Sequence, residues 1–335
     1  MLGQARLVPE HMTEKLNSDF PILLLPESLP VPALIAQAGE RATRRFLEFF
    51  AAHIRNKGTR EAYARAVGQF CQWCDDYGIP LERVKPLIVA AYIEQLCNRL
   101  SAPTVKLHLA AIRMLFDYLV TGHVLEGNPA SSVRGPKHVV KKGKTPVLSA
   151  SEARQLLDAI DTRTIIGLRD RALVGLLVYS FARVSAAIGM NTGDYYSQGR
   201  RMWFRLHEKG GKYHEVPAHH NAVEYLDAYL EAASVTEQTR LPLFRTLDRR
   251  RALTADRMHR TDVLRMIKRR ACAANLPAST CCHTFRATGI TAYLECGGSL
   301  EHAQRIAAHE SARTTKLYDR TSDAVSLDEI ERIVI

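Results

Sequence analysis

The chain has 335 residues, enough for two domains of ordinary size, and 46% of them are hydrophobic, which excludes a largely disordered protein. Its formal net charge of +11 favours a polyanionic partner, with nucleic acid ahead of a membrane surface. Most of that charge lies in residues 131–335, where 32 basic residues face 22 acidic ones.

The seven cysteines show no spacing typical of a disulfide framework or a zinc site. Cys71 and Cys74 lie in a stretch predicted to be helical and to bury small apolar side chains. We therefore expect no zinc site, and a reducing, cytoplasmic setting. The sequence also shows no Walker loop and no carboxylate cluster typical of a metal nuclease, so we expect no metal and no cofactor. Neither a signal peptide nor a membrane span is predicted, because prolines interrupt the apolar stretch Phe20–Ala36 and the run Ala172–Ala182 is too short.

The first third of the chain is predicted to be an arm followed by a helical domain. Residues 1–35 are proline-rich and form the predicted N-terminal arm. The helical domain, residues 36–130, contains four predicted helices: Gly39–Arg55, Thr59–Tyr77, Val84–Leu100 and Ser101–Thr121. Thr59 and Ser101 are candidate N-caps, and Pro103 falls in a first turn, where proline is tolerated.

A basic linker, residues 131–147, is predicted to join this domain to a second one, residues 148–335. The linker contains five basic residues and no acid, which suits a segment lying along DNA phosphates. These residues are Arg134, Lys137, Lys141, Lys142 and Lys144.

The second domain is predicted to be mostly helical with one small hairpin. It opens with a capping-box pattern, Ser149 to Glu152, and continues into the apolar helix Ala172–Ala182. Met202–Leu206 and Tyr213–Val216 are predicted strands, joined by a Lys-Gly-Gly-Lys turn. The remainder is predicted to be helical, including a basic stretch at residues 245–270.

Three features of this domain carry chemistry. Arg183 follows an apolar run and needs an anionic partner, either a carboxylate of the chain or an external anion. His283 and Arg286 are spaced to share one helical face, although solvated helices carry such pairs too. His309 is followed nine residues later by Tyr318.

Together these features resemble the tyrosine recombinases, or phage integrases. That family carries an Ala-Arg-Ile/Val-Ser motif, a lysine on a hairpin turn, a His-x-x-Arg motif, and a later His or Trp with a tyrosine nine residues beyond it. The matching segments here are Ala182–Ser185, Glu208–Lys212, His283–Arg286 and His309–Tyr318. The resemblance covers residues 40–320 approximately and includes Asp194. It departs at Ala186, where the family commonly has an acid that supports the first arginine.

The resemblance implies a mainly α fold with a small β-sheet or hairpin. It implies a two-domain clamp around duplex DNA, with a helical core-binding domain and a mixed α/β catalytic domain. The implied function is site-specific recombination through a covalent 3′-phosphotyrosyl intermediate, for integration, excision, inversion or resolution. The implied assembly is a homotetramer on two DNA sites that is a monomer or dimer when free.

The resemblance also implies a role for each motif residue, with Tyr318 as the nucleophile. Arg183 and Arg286 would hold the phosphate oxygens, because guanidinium groups bind phosphate bidentately and stay charged. His283 and His309 would donate hydrogen bonds to the phosphate, and His283 would help to accept the tyrosine proton. The hairpin supplies two candidates for the general acid: Lys209, which we prefer, and Lys212, which we expect to be a phosphate contact or a solvated charge instead.

The sequence offers two further candidate surfaces and leaves three other functions open. Four residues on one predicted helix either meet a DNA groove or form a solvated basic face: Arg265, Lys268, Arg269 and Arg270. The apolar tail Val325–Ile335 packs either on a neighbouring subunit or on its own domain. The rival functions are a type IB topoisomerase, an inert DNA-binding relative, to which only Ala186 points, and a membrane-surface protein.

Overall fold

The computed structural model describes residues 30–138, 143–208, 211, 213–234 and 240–319. The chain divides into two compact units, residues 1–139 and 140–335. Helices dominate, accompanied by two small antiparallel sheets, which confirms the predicted fold class. Within the described ranges, no helix is both long and apolar enough to cross a membrane.

The first unit is built from helices alone in the part that the structure describes. Its elements are α1 (Ala33–Gln37), α2 (Glu40–Glu48), a π-helical turn (Phe49–His53), α3 (Lys57–Asp76), a 3-10 turn (Leu81–Arg83), α4 (Pro86–Cys97) and α5 (Ala102–Thr121). The last four helices correspond to the four predicted ones, with shifted ends.

The beginning of α3 differs from the prediction. Asn56 is the N-cap, and its side chain accepts a hydrogen bond from the backbone N–H of Thr59 at 3.0 Å. Thr59, the predicted cap, therefore lies inside the first turn. Asn is as good a cap as Thr, and the glycine between them did not end the helix. Ser101 is the N-cap residue of α5, as predicted.

The core of the first unit is rich in aromatic side chains. Phe49 and Phe50 are fully buried, and their ring centroids lie 4.8 Å apart. Leu34 and Ile35 of α1 are also buried in this core, so the chain is already packed inside the stretch predicted as an arm. Two adjacent apolar residues are too short a pattern to predict a helix from hydrophobic periodicity. The rest of the arm, residues 1–29, lies outside the described residues.

The second unit mixes helices with two small sheets. Its elements up to the first sheet are α6 (Ala150–Asp158), α7 (Ile165–Tyr179), α8 (Val184–Gly189), a 3-10 turn (Thr192–Asp194), β1 (Tyr195–Gln198), β2 (Arg201–His207) and β3 (Tyr213–Pro217). The remaining elements are α9 (His220–Ala232), β4 (Arg245–Leu247), β5 (Leu253–Arg257), α10 (Arg260–Ala273), α11 (Cys282–Glu295), α12 (Leu300–Ile306) and α13 (Ala312–Lys316).

Two predicted features of this unit are confirmed. The capping box at the start of α6 is present, with Glu152 accepting the backbone N–H of Ser149 at 2.8 Å. The two predicted strands pair antiparallel as β2 and β3. The sequence missed β1, which pairs with β2 on its other side and makes a three-stranded sheet in the order β1-β2-β3.

The predicted helical content was wrong between residues 245 and 257, where β4 and β5 form a hairpin. The cause lies in the turn: Asp248 accepts backbone hydrogen bonds from Arg250 and Ala252, both at 2.8 Å. An aspartate that satisfies its neighbours' N–H groups stabilises a turn against a helix. Arg251 completes the turn with a positive φ of 64°.

Arg270 differs from the expectation that it belongs to an exposed basic face, whether that face meets a DNA groove or is solvated. Arg270 donates two hydrogen bonds, at 3.0 and 2.7 Å, to Asp170, a carboxylate with 0% exposure. Arg169 approaches the same carboxylate at 2.8 Å. A fully buried carboxylate requires such pairing, so Arg270 belongs to the interior of the second unit.

Candidate active site

Arg183 is placed by the break between α7 and α8. The apolar helix ends at Tyr179 instead of continuing to Ala182, because the Ser180 hydroxyl bonds back to a carbonyl of the last turn and Phe181 adopts a positive φ of 53°. Arg183 then becomes the residue that precedes α8.

The expected anionic partner of Arg183 is a carboxylate of the chain. Its Nη1 donates to Oε2 of Glu208 at 2.6 Å, at the end of β2. The arginine side chain keeps 38% exposure, whereas the carboxylate keeps only 10%. The internal ion pair that the sequence left open as an alternative is therefore present, and the arginine side chain remains partly accessible.

Helix α11 presents His283 and Arg286 on one face, as predicted. The helix begins after Cys281, whose backbone N–H donates to the Thr284 hydroxyl at 3.0 Å. Arg286 is 1% exposed, yet no carboxylate of the described residues pairs with it.

The guanidinium of Arg286 is held by backbone carbonyls. Nη1 donates to the carbonyl of Phe181, and Nη2 donates to the carbonyl of Ala307 at 2.6 Å. Its Nε–H is buried without a partner among the described residues. Burial, and then the neighbouring Arg183, lower the pKa of Arg286 to about 10, so it remains charged at neutral pH.

Tyr318 follows α13 and is almost buried, with 8% exposure. Its hydroxyl lies 3.2 Å from Nε2 of His283. Its backbone carbonyl accepts a hydrogen bond from the Thr291 hydroxyl of α11 at 2.8 Å. Helix α11 thus contacts both the hydroxyl and the backbone carbonyl of this tyrosine.

His309 lies against the same tyrosine. The two rings are nearly parallel, at 10°, with centroids 5.8 Å apart. Nδ1 of His309 is 2.9 Å from the hydroxyl of Thr315, which leaves Nε2 as its other polar atom. Burial, followed by the charges of Arg286 and Arg183, lowers the pKa of His309 to about 3, so the ring is neutral at pH 7.

Five of the six predicted catalytic residues contact one another or act electrostatically on one another: Arg183, His283, Arg286, His309 and Tyr318. Partial burial, then Arg286 and Arg183, lower the pKa of His283, and Arg183 acts on His309 as well. The sixth residue, Lys209, lies outside the described residues, as does Lys212. The described flanks of that hairpin turn are Glu208 and β3.

Within the described part of the second unit, none of the predicted DNA-contacting side chains takes part in this cluster of hydrogen bonds. Arg134 and Lys137 are exposed in the first unit, and Lys144 is exposed in the second. Lys141 and Lys142 lie outside the described residues. On α10, Arg265, Lys268 and Arg269 are exposed, but Arg265 lies 3.4 Å from Asp262 and Lys268 donates to the carbonyl of Ala278.

Sequence reasoning missed three side chains that hold the site together: Glu208, Thr291 and Thr315. Glu208 stood within a quoted motif, directly before Lys209, but nothing local showed that it would meet Arg183. Thr291 lies two turns after His283 on the same helix, so helical spacing was an available signal. Thr315 also stood within a quoted segment, His309–Tyr318, but nothing local showed that it would contact His309.

Curated relatives with similar sequences are recombinases. The tyrosine recombinase XerD of Ralstonia nicotianae is 27% identical over 297 residues, which covers 88% of this chain and 92% of that protein. The tyrosine recombinase XerC of Chlamydia muridarum is 30% identical over 232 residues, covering 69% of this chain and 70% of that protein. Fold, site and relatives define the class: a site-specific recombinase that breaks and rejoins DNA.

The family follows from two sequence models. The model of the phage integrase family matches residues 146–324, more than half of the chain, and the model of the phage integrase N-terminal SAM-like domain matches residues 44–123. The chain belongs to the phage integrase family.

Solved structures share the fold. The XerH site-specific recombinase bound to difH substrate, a pre-cleavage complex, has a TM-score of 0.63 at 15% identity, covering 99% of this chain and 90% of that one. A lambda integrase tetramer bound to a Holliday junction has a TM-score of 0.64 at 17% identity, covering 97% and 92%.

Proposed function

We propose that Tyr318 cleaves DNA by attacking a phosphodiester. Its oxygen forms a bond to phosphorus while the bond from phosphorus to the 5′-oxygen breaks, giving a 3′-phosphotyrosyl link and a 5′-hydroxyl. The observation that carries this proposal is the 3.2 Å contact between the Tyr318 hydroxyl and His283, beside the buried charge of Arg286.

His283 takes the proton from the tyrosine hydroxyl. Its lowered pKa keeps the ring neutral at pH 7, and in the tautomer that carries its proton on Nδ1, Nε2 accepts the tyrosine proton. Protonation becomes easier once a phosphate has entered, because its negative charge opposes the effect of Arg286 and Arg183 on the ring.

Arg183 and Arg286 hold the non-bridging oxygens, where negative charge builds during attack. The unpartnered Nε–H of Arg286 and the exposed side of Arg183 are donors that a phosphate satisfies. His309 adds a third donor. If the Thr315 hydroxyl donates to Nδ1, the neutral ring carries its proton on Nε2 and presents it to the phosphate.

Lys209 donates a proton to the departing 5′-oxygen, and Lys212 contacts phosphate. The phosphotyrosyl bond retains the energy of the broken phosphodiester, so a second 5′-hydroxyl reseals the strand by attacking it. The alternative of an inert relative depended on Ala186, and Glu208 supplies the carboxylate that was missing beside Arg183.

The test is a trapping experiment with nicked duplexes tiled across the DNA that flanks the gene. In such a duplex the short 5′ product diffuses away, so the cleaved complex cannot reseal. Wild-type protein should give an adduct that survives denaturation, and Tyr318→Phe should give none. If the adduct persisted in Tyr318→Phe, Tyr318 would not be the nucleophile. If the wild type formed no adduct on a DNA that it recombines, the proposal would be refuted.

The wider setting is part of the same proposal. Two DNA sites are bound by a homotetramer in the cytoplasm, the linker residues 131–147 contact the backbone, and the substrate is the boundary of a mobile element. The domain limits remain those predicted: core-binding at 36–130 and catalytic at 148–335. The DNA complexes among the structural relatives, one of them a tetramer, support this assembly.

A further inference from the structure

Glu208 is the acidic group that meets the cationic cluster directly. Its carboxylate accepts from Arg183 at 2.6 Å and is nine-tenths buried. The contact joins residues 25 positions apart, linking the start of α8 to the end of β2. Lys209 is the next residue in the chain.

The first turn of α8 offers Arg183 no other acid. The residue three positions after it, Ala186, is 0% exposed and belongs to the hydrophobic core. A long arginine side chain that nothing holds samples many rotamers, and ordering it on substrate binding costs free energy. The contact with Glu208 fixes the guanidinium before substrate arrives.

The geometry favours orientation over blockage. Glu208 contacts a single nitrogen of Arg183, and the arginine keeps 38% of its side chain exposed. A carboxylate that mimicked the phosphate would be expected to cover the guanidinium with two parallel bonds. The contact seen here leaves the other donors of Arg183 available.

The carboxylate also moderates repulsion within the cluster. Burial and Arg183 lower the pKa of Arg286, and Glu208 acts in the opposite direction. The negative charge of Glu208 therefore helps the Arg286 guanidinium to remain charged beside Arg183.

We propose that Glu208 is a positioning residue, which orients Arg183 for the scissile phosphate and anchors the strand end that leads into Lys209. This inference depends on the proposed cleavage reaction. It adds a residue that acts through Arg183 without touching the reacting atoms itself.

The test compares Glu208→Gln, Glu208→Asp and the control Glu215→Gln. Glu215 lies on the same hairpin and pairs with Arg205 at 2.8 Å, but this pair is exposed. Single-turnover adduct formation on nicked DNA should slow roughly 10- to 100-fold in Glu208→Gln, because small misplacements of catalytic groups have effects of that size. Binding of intact DNA should change less than about twofold, since phosphate contacts elsewhere supply most of the affinity. Glu208→Asp should recover part of the rate, and Glu215→Gln should match the wild type.

A double-variant comparison separates positioning from general destabilisation. If Glu208 acts through Arg183, the Glu208→Gln change should cost little more in an Arg183→Lys background. Full additivity would overturn the proposal, as would a wild-type rate in Glu208→Gln. A faster rate in Glu208→Gln would show that the carboxylate blocks the site. Failure of the wild type to form any adduct would refute the cleavage reaction itself, which is a different outcome from these.

Discussion

At the scale of single residues, Arg286 shows how charge is kept in the site. Its guanidinium is fixed by two backbone carbonyls, those of Phe181 and Ala307. Carbonyl dipoles hold a cation in place without neutralising it, whereas a carboxylate partner would. The positive charge therefore remains available to a phosphate.

The sequence predicted the candidate catalytic side chains better than the side chains that support them. Tyr318, His283 and Arg286 were found because their spacing matches a known motif. Glu208 and Thr291 were missed because their roles depend on tertiary contacts between elements that are distant in sequence. Arg183 was expected to be buried and is half-exposed, because α7 ends three residues before the end of the apolar run.

Thr291→Val tests the support of the nucleophile. The change removes the hydroxyl that binds the Tyr318 carbonyl at 2.8 Å and keeps the side-chain shape. We expect a loss of about 1–3 kcal/mol in the free energy of unfolding, from the buried carbonyl left unpaired. Adduct formation should also slow, measured as the single-turnover rate on nicked DNA.

The control for this prediction is Thr288→Val, one turn earlier on α11. The Thr288 hydroxyl accepts from the Leu148 backbone N–H at 3.0 Å, so a similar hydrogen bond is lost away from the nucleophile. It should destabilise the protein to a similar extent and leave the cleavage rate unchanged. Equal slowing in both variants would contradict a specific role for Thr291.

The pKa of His309 predicts how stability depends on pH. In the unfolded chain this histidine binds a proton below its ordinary pKa of 6.5, whereas in the folded protein it does so only near 3. Between these values the unfolded state holds more protons, so stability falls as pH falls. From pH 7 to pH 4.5, His309→Asn should lose about 2 kcal/mol less than the wild type, measured by urea unfolding at each pH. Equal losses would show that His309 is not held neutral.

At the scale of elements, the packing of α11 on α7 sets the position of Arg286. Gly289 makes this packing possible, because a Cβ there would lie 2.1 Å from the Val178 carbonyl and 2.8 Å from the Phe181 ring. Phe181 also supplies a carbonyl to Arg286. The sequence predicted helices on both sides, but hydrophobic periodicity does not reveal where two helices approach most closely.

Gly289→Ala should therefore destabilise the second unit by several kcal/mol, since the nearest atom belongs to the backbone. It should also reduce adduct formation at temperatures where the protein remains folded. Gly68→Ala on α3 is the matched control, because a Cβ there meets nothing within 4 Å. That variant should be neutral or stabilised by up to about 1 kcal/mol. Thermal unfolding of both variants measures the difference, and an unchanged midpoint in Gly289→Ala would contradict this account of the packing.

The sheets mark where element prediction failed. The strands β2 and β3, which flank a Gly-Gly pair in the sequence, were predicted, but β1 has only four residues and β4 only three. Segments this short are stabilised by pairing with their neighbours, which single-sequence patterns do not report.

At the scale of the whole molecule, the two parts of the chain differ in their positive charge, most of which lies in residues 131–335. The division between the units falls within the predicted basic linker, and Arg134, Lys137 and Lys144 are exposed on either side of it. The amount and location of positive charge along the chain could be read from the sequence alone. Which basic side chains are free for DNA could not, because Arg270 is held by Asp170 inside the second unit.

A triple variant that combines Arg134→Ala, Lys137→Ala and Lys144→Ala should bind DNA more weakly, and its binding should depend less on salt. Each lost phosphate contact should reduce the slope of log affinity against log salt by about 0.9. Arg163→Ala is the control, since this exposed arginine is paired with Asp161 at 2.9 Å. Binding titrations at several salt concentrations give the slopes. An unchanged slope in the triple variant would remove the linker from the DNA interface.

The central claim is that the Tyr318 oxygen becomes covalently joined to DNA. Mass spectrometry of proteolysed adduct, trapped on nicked DNA, locates the link directly. Our account predicts one modified peptide, containing Tyr318 joined to a 3′-phosphorylated nucleotide. A nucleotide attached to any other residue, or joined through a 5′-phosphate, would contradict it.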